Sequence, residues 1–345
     1  MHLLDPSPRL CVLVGLLGLA LLLAGCGKPT LQQLGGSAQG TTYHVRWWSA
    51  PRVTARTLHA AVEAELARID QALSNYRADS AIEVFNANPA ITPQAVPAEL
   101  VELLRTANAV RVAGAGCYDL TIKPLTKLWG FRDEVLTIPP PESLASVLES
   151  VGQDLVEIVD GTRLRKTTPT VTLDVSSIAQ GHSVARLAQV LEATGIHNYL
   201  IEIGGELQTR GQKPDGSRWR VAVERPLPGA RRVHKIIELP ATEPVAVMTS
   251  GTYRHYFDAD GRRYSHILDA HTGAPVTHDL VSVTVLHPDA TLADAWSTAL
   301  LCLGAEDALA LAEREGLAAM LIELKDGALV EHMSAALTGG PWTLH

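Results

Sequence analysis

Asp294 and Thr298 stand four residues apart in the stretch ATLADAWSTALLCLG, residues 290–304. In a helix, positions i and i+4 share a face. The pair would therefore set a carboxylate beside a hydroxyl in an otherwise apolar segment. Two readings stand. Thr291 followed three residues later by Asp294 fits a Thr-x-x-acid cap, and an acid in the first turn suits the helix dipole. Thr298 would then bond back to a carbonyl one turn earlier. Alternatively, the two oxygens and a carbonyl from elsewhere form a hard-metal site of the kind Mg²⁺ prefers.

Four further stretches carry polar residues that packing alone does not require. SNYRADS places Tyr76, Arg77 and Asp79 in a loop after a helix. LDVSSIAQGHS runs from strand into helix, with Asp174, Ser176 and Ser177 at the junction. YLIEIGGELQTRG ends a strand in Gly204-Gly205, where backbone can approach a ligand. MTSGTYRHYF and YSHILDAHTGAPV add Ser250, Gly251, Tyr253, Arg254, His266, Asp269 and Gly273. Each also has a local explanation. Asp174 or Ser176 suits a helix cap, and Asp269 with Thr272 and Gly273 suits an Asx-type turn. None is a P-loop or a dinucleotide-binding glycine fingerprint.

The elements that must position these residues follow from periodicity. TTYHVRWW alternates as a strand. Leu58, Val62, Leu66, Ile69 and Leu73 mark an amphipathic helix, and residues 100–112 a second. The segment GCYDLTIKPLTKLWGFR reads as irregular, broken at Pro124. PPPESLASVLES opens a third helix. From Leu155 onward short strands alternate with turn signals at Asp160-Gly161, Asp215-Gly216, Asp260-Gly261 and Asp326-Gly327. Two long helices interrupt them, over about residues 177–194 and 292–315. The pattern predicts an α+β protein with mostly antiparallel sheet.

The chain has 345 residues, 46% of them hydrophobic, and a net charge of −8. That is ample for a large core, and it argues against a nucleic-acid surface. A phosphate ligand would need local help from a metal, a helix N-terminus or a few basic groups.

Residues 10–24 form an apolar run ending in LAGC, residues 23–26. A short apolar run before small residues reads as a secretory signal. The ending resembles the bacterial lipoprotein signal, in which the cysteine becomes the lipidated first residue. The expected organisation is a signal peptide over 1–25, a lipidated Cys26, a tether over 26–39 and a catalytic domain over 40–340. Such a protein would be held on a cell membrane, facing the periplasm. Cys117 and Cys302 remain, without metal-type spacing. They could pair, but Cys302 reads first as a small core residue of an apolar helix.

Eight blocks in order resemble the FAD:protein FMN transferases, the ApbE-type flavin transferases: QGTTYHV, SNYRADSAIEVFN, GCYDLTIKPLTKLWGF, LDVSSIAQGHSVA, YLIEIGGEL, VMTSGTYRHYF, SHILDAHTGAPV and ATLADAWSTAL. The resemblance runs from Gly36 to Met333. It implies an ApbE-like fold and an enzyme that uses FAD as substrate together with Mg²⁺. Such an enzyme moves FMN onto a Thr or Ser hydroxyl of an acceptor flavoprotein and releases AMP. Asp294, Thr298 and the Ser177 carbonyl match the family's metal ligands. Gln39, Tyr76, Cys117, Tyr118, Asp119, Asp174, Gln180 and Ile267 match its flavin-nucleotide contacts. His266 matches a proposed catalytic histidine, expected to titrate near its ordinary ~6.5. Gln39 replaces a frequent Met, Gln180 a Lys or Glu, His182 a Tyr, Arg186 an Asp and Tyr118 a Phe. Two rivals are a periplasmic lipoprotein that binds or hydrolyses FAD without protein transfer, and a non-catalytic descendant.

Overall fold

The computed structural model describes residues 29–132, 135–229, 231–259 and 261–345. The expected signal peptide and Cys26 lie outside the described residues. Chain order is β1 Gln32–Ala38, β2 Thr41–Trp48, α1 Ala55–Leu73, α2 Ala81–Ala87, β3 Gln94–Ala95, α3 Ala98–Ala113, α4 Lys123–Leu128, α5 Pro141–Leu148, β4 Val156–Ile158 and β5 Arg163–Lys166. It continues with α6 Ala179–Ala193, β6 Asn198–Ile203, β7 Glu206–Arg210, β8 Arg220–Glu224, β9 Val233–Glu238, β10 Val245–Gly251, β11 Tyr256–Ala259, β12 Arg262–Ser265 and β13 Leu280–His287. The last elements are α7 Ala290–Leu303, α8 Ala305–Arg314, β14 Ala318–Lys325, β15 Ala328–Met333, α9 Ala335–Thr338 and β16 Thr343–Leu344.

The frame is an eight-stranded sheet, β1-β2-β6-β7-β10-β13-β14-β15, antiparallel at every pairing. The expected α+β class with mostly antiparallel sheet is what forms. The central strands are covered on both faces. In β10, Ala246 and Met248 enter the main core, while Val245 and Val247 enter a second core. β14 divides likewise, with Ala319 and Leu321 on one side and Ala318, Met320 and Ile322 on the other. Burial on both faces explains why these strands read as continuous apolar runs rather than alternating ones. α6 and α7 lie on the main-core face and pack against each other. The small sheet β16-β9-β8 and α9 contribute to the second core.

Four local expectations need correction. The segment expected as tether, 26–39, contains β1, which pairs with β2 along its whole length. Its Gly/Ser composition serves close packing: a Cβ on Gly36 would lie 2.7 Å from the Tyr43 ring. The folded unit also passes residue 340, because β16 pairs with β9. The helix expected over 292–315 is two helices, α7 and α8, parted at Gly304 with φ +82. Pro124 starts a helix rather than breaking one, since it falls in the first turn of α4, where its missing N–H costs nothing.

The turn signals behave as expected. Asp160-Gly161 joins β4 to β5, and Asp326-Gly327, with φ 50 and 77, joins β14 to β15. Asp215-Gly216 closes a loop held by the Gln212–Arg218 bridge. Gly261 lies between β11 and β12, and Asp260 is outside the described residues.

The contact between α6 and α7 depends on one residue. A Cβ on Gly181 would stand 2.4 Å from the Ala290 carbonyl oxygen and 2.5 Å from Asp294 Cβ. Both neighbours belong to a helix already buried around most of its circumference, so neither can swing aside. Gly181→Ala is expected to push the helices apart and to destabilise the protein by about 1–3 kcal/mol, the usual cost of overpacking. Equilibrium denaturation of the variant against wild type measures this.

Candidate active site

Two buried asparagines build the floor of the site. Asn75 Nδ2 donates to the Leu173 carbonyl at 3.0 Å, and its Oδ1 accepts the Val175 amide at 3.0 Å. Asn86 Nδ2 donates to the same Leu173 carbonyl at 2.9 Å, and its Oδ1 accepts the Leu173 amide at 2.7 Å. Residues 173–175 form no ladder with a strand, so these side chains satisfy backbone groups that water cannot reach. They hold Asp174 and the residues entering α6. Asp174 Oδ1 accepts the Ser176 amide at 2.9 Å in an Asx turn. Neither asparagine was singled out from sequence. Both stand in the SNYRADSAIEVFN stretch, where a polar amide at the end of an apolar helix was the available signal.

α7 supplies the carboxylate. Its cap is Asp289, whose side chain accepts the Leu292 amide, so Asp294 lies beyond the first turn and does not cap its own helix. Instead Asp294 Oδ2 accepts the Gly181 amide at 2.7 Å. That amide is one of the N-terminal donors of α6 that lack an intrahelical partner. Asp294 therefore caps the neighbouring helix, and the residue also lines the cavity. Thr298 does not bond back to its own helix as expected. Its Oγ1 lies 2.9 Å from Ser250 Oγ on β10, which also meets Ser297 Oγ at 2.8 Å.

The cavity bounded by these groups has a volume of about 820 Å³, in the range of dinucleotide-sized pockets. It brings together Gln39, Tyr76, Tyr118, Asp119, Asp174, Ser177, Gln180, His266, Ile267, Asp294 and Thr298. Tyr76 is 81% exposed at its lip, with the Arg132 guanidinium over its ring. Gln39 occupies the β1–β2 turn with Gly40, both at positive φ (53 and 73), the signature of a type I′ turn. Its Nε2 donates to Ser183 Oγ at 2.5 Å, while its buried Oε1 has no partner. Ser177 Oγ donates to the Tyr118 hydroxyl at 3.3 Å.

Two expectations change, and a third holds. Cys117 is not on the cavity wall, and its sulfur is bonded to Cys302, which is. Cys302 is thus a half-cystine rather than a free core thiol. Asp119 lines the cavity, but its carboxylate is spent on the chain: Oδ1 accepts the Thr121 amide at 2.8 Å and Oδ2 the Gln153 amide at 2.8 Å. Asp269 forms the expected turn, accepting the His271 amide at 2.9 Å, and is not among the cavity-lining residues.

His266 also lines the cavity. Its Nδ1 stands 3.0 Å from the His255 carbonyl oxygen. A carbonyl only accepts, so Nδ1 carries the proton and Nε2 keeps a lone pair. Burial lowers the imidazole pKa to about 4, well below the near-neutral value expected from sequence. The ring is a neutral base through the physiological range.

The carboxylates move the other way. Burial pushes Asp294 up to about 7, against the opposing pull of the Gly181 amide. Glu206 on β7, which sequence reading passed over, also lines the cavity and is 8% exposed. Burial raises it well above the ordinary carboxylate range, and the Asp294 charge raises it further. Its Oε2 accepts the Thr249 amide at 3.0 Å. Two buried carboxylates beside hydroxyls form a hard oxygen donor set, and their shifted pKa values mark the absence of a cationic partner among the described residues, an arrangement that suits a divalent cation such as Mg²⁺. Among the described residues no cluster of three His, Cys, Asp or Glu side chains forms a metal site. The fit therefore rests on a mixed set of carboxylate, hydroxyl and backbone oxygen.

A family model described as the ApbE family matches residues 39–321. An FAD:protein FMN transferase of Vibrio cholerae is 37% identical over 320 residues, covering 92% of this chain and 95% of the relative. The one from Escherichia coli K12 is 34% identical over 326 residues, covering 90% and 91%. Among solved structures, the apo flavinyl transferase ApbE of Pseudomonas stutzeri superposes with a TM-score of 0.83 at 39% identity, covering 91% of this chain and 98% of that one. With the fold, the cavity and the ordered sequence blocks in agreement over this length, the chain belongs to the ApbE family.

Proposed function

We infer that the cavity is the active site of an FAD:protein FMN transferase, and we propose that it works with Mg²⁺ on a Thr or Ser hydroxyl of an acceptor flavoprotein. The transferase reading rests on family membership over nearly the whole chain. The observation that carries the chemistry is that a neutral histidine and a buried, cation-seeking carboxylate line one pocket. Asp294, Thr298 and the Ser177 carbonyl would hold the metal. When bound, Mg²⁺ would neutralise the pyrophosphate and the charge that develops on it.

The chain's own groups account for the other tasks. Tyr118, Asp174 and Gln180 shape the nucleotide pocket, with Gln39 on its wall. The acceptor hydroxyl attacks the FMN-side phosphorus of FAD. A new P–O bond forms, the bond to the AMP-side oxygen breaks, and AMP leaves with that oxygen. His266 Nε2 takes the hydroxyl proton, while the His255 carbonyl holds the ring through Nδ1. Positioning and electrostatics supply most of the acceleration.

We further propose that Cys26 is lipidated and holds the enzyme on a membrane facing the periplasm. The LAGC sequence supports this. Among the described residues no helix is long and apolar enough to cross a membrane.

The central test incubates the enzyme with FAD, Mg²⁺ and candidate acceptor flavoproteins. Covalent flavin is read by in-gel fluorescence and intact mass, with AMP measured alongside. FAD cleaved to FMN and AMP with no labelled acceptor would favour a hydrolase. Asp294→Asn keeps an acceptor for the Gly181 amide but removes the charge. Transfer should fall about 10²-fold or more. The metal-free variant should melt no lower than wild type at pH above Asp294's value of about 7, where the wild-type carboxylate is buried and ionised. Unchanged transfer in chelated protein refilled with Mg²⁺ would reduce Asp294 to a cap. His266→Asn should lower the single-turnover rate by about 10²–10⁴-fold and weaken FAD binding far less. In wild-type protein the His266 ring should show no NMR titration between about pH 5 and 8, the window around the ordinary ~6.5. A midpoint near that ordinary value would contradict the depressed pKa. Cys26→Ser should release the protein from the membrane fraction, and an unmodified Cys26 in the mature protein's mass would refute the anchor.

A further inference from the structure

We infer that the Cys117–Cys302 disulfide positions the FAD site, acting on substrate binding in the native enzyme and not only on the stability of the fold. The inference rests on the transferase reading above.

The bond joins residues 185 apart in sequence, with Cα atoms 6.0 Å apart. Cys302 follows Thr298 by four residues and Asp294 by eight, so all three share one face of α7. Its side chain forms part of the cavity wall. Cys117 directly precedes Tyr118, whose hydroxyl meets Ser177 at 3.3 Å. The Cys117 carbonyl accepts the Ala270 amide at 3.1 Å, and Cys302 Sγ lies 3.9 Å from the Leu268 carbonyl oxygen. The disulfide therefore sits where three site segments cross: the Tyr118 loop, the His266–Ala270 segment and the metal-side helix.

α7 is pinned at two points. Near its start, Asp294 holds the Gly181 amide of α6. At its end, Cys302 is bonded to the Tyr118 loop, just before the chain turns at Gly304. Thr298 lies between them. The two ties together resist rotation of the helix about its axis, which would carry Thr298 away from Ser250 and shift the wall facing Tyr118. Both cysteines are buried, at 7% and 5% exposure. That suits a permanent tie better than an exchanging one. A disulfide that merely constrains the unfolded chain leaves native affinity unchanged. One that sets the spacing between two walls of a binding site does not.

The test compares wild type, wild type treated with TCEP, and the Cys117→Ser/Cys302→Ser variant, all well below the variant's melting temperature. Intact mass after alkylation establishes the bond, with both thiols blocked only after reduction. FAD binding in the presence of Mg²⁺ is measured by flavin fluorescence, and KM for FAD and kcat by acceptor labelling. Loss of the tie should raise Kd and KM for FAD by about tenfold, the scale of one lost or misaligned hydrogen bond to a ligand. kcat at saturating FAD should change far less. If only the melting temperature falls, with Kd and KM unaltered, the disulfide is a staple and the inference fails. Thiols that alkylate without reductant also overturn it. A variant that does not fold leaves the TCEP-treated enzyme to decide. Because FAD binding is read separately, an enzyme that labels no acceptor would count against the transferase reading and not against the disulfide.

Discussion

The hydrogen bond from the Gly181 amide to the Asp294 carboxylate is the constraint on which the site depends. It crosses between two helices and needs them nearly in backbone contact, which only a residue without a side chain allows. The carboxylate satisfies an amide that α6 cannot satisfy itself. In return, the amide fixes a buried charge at one position. Helix packing and site geometry are therefore the same fact. Whatever separates α6 from α7 also moves Asp294.

A second consequence is electrostatic. The cavity gathers Asp174, Glu206 and Asp294 in a chain of net charge −8, and burial works against ionisation of the latter two. A cation entering with a pyrophosphate would favour the carboxylates' ionised form and offset the charge of carboxylate and phosphate alike. The same low-polarity surroundings keep His266 neutral, with its proton committed to the His255 carbonyl. Burial thus prepares two unlike partners in one pocket: carboxylates that favour a cation and an imidazole free to accept a proton.

These groups stay in register because the sheet beneath them is buried on both sides. β10 carries Ser250 to the hydroxyl cluster while its other residues anchor two cores. Asn75 and Asn86 perform the matching task for the segment leading into α6. Side chains that touch no ligand thereby set the positions of those that would.

The sequence by itself determined the class and named many of the residues that line the cavity. Period-two and period-three-to-four patterns are local properties, so the strand Thr41–Trp48, the helix Ala55–Leu73 and the Asp-Gly turns were legible. The spacing of Asp294 and Thr298 was legible for the same reason, as were the blocks that resemble the ApbE family. Other features required the tertiary structure, because they are relations between distant segments. Sequence showed that Asp294 was suited to capping, but only packing revealed that the capped helix is α6. The break at Gly304 was hidden inside a continuous apolar pattern. The Gly-rich segment before residue 40 looked like a tether because its strand partner is chosen across a turn. The depressed pKa of His266, the raised pKa of Glu206 and the Cys117–Cys302 bond all arise from proximity and exclusion of water. Residue types fix which chemistry is available; the fold decides which groups lose their water and which neighbours they meet instead.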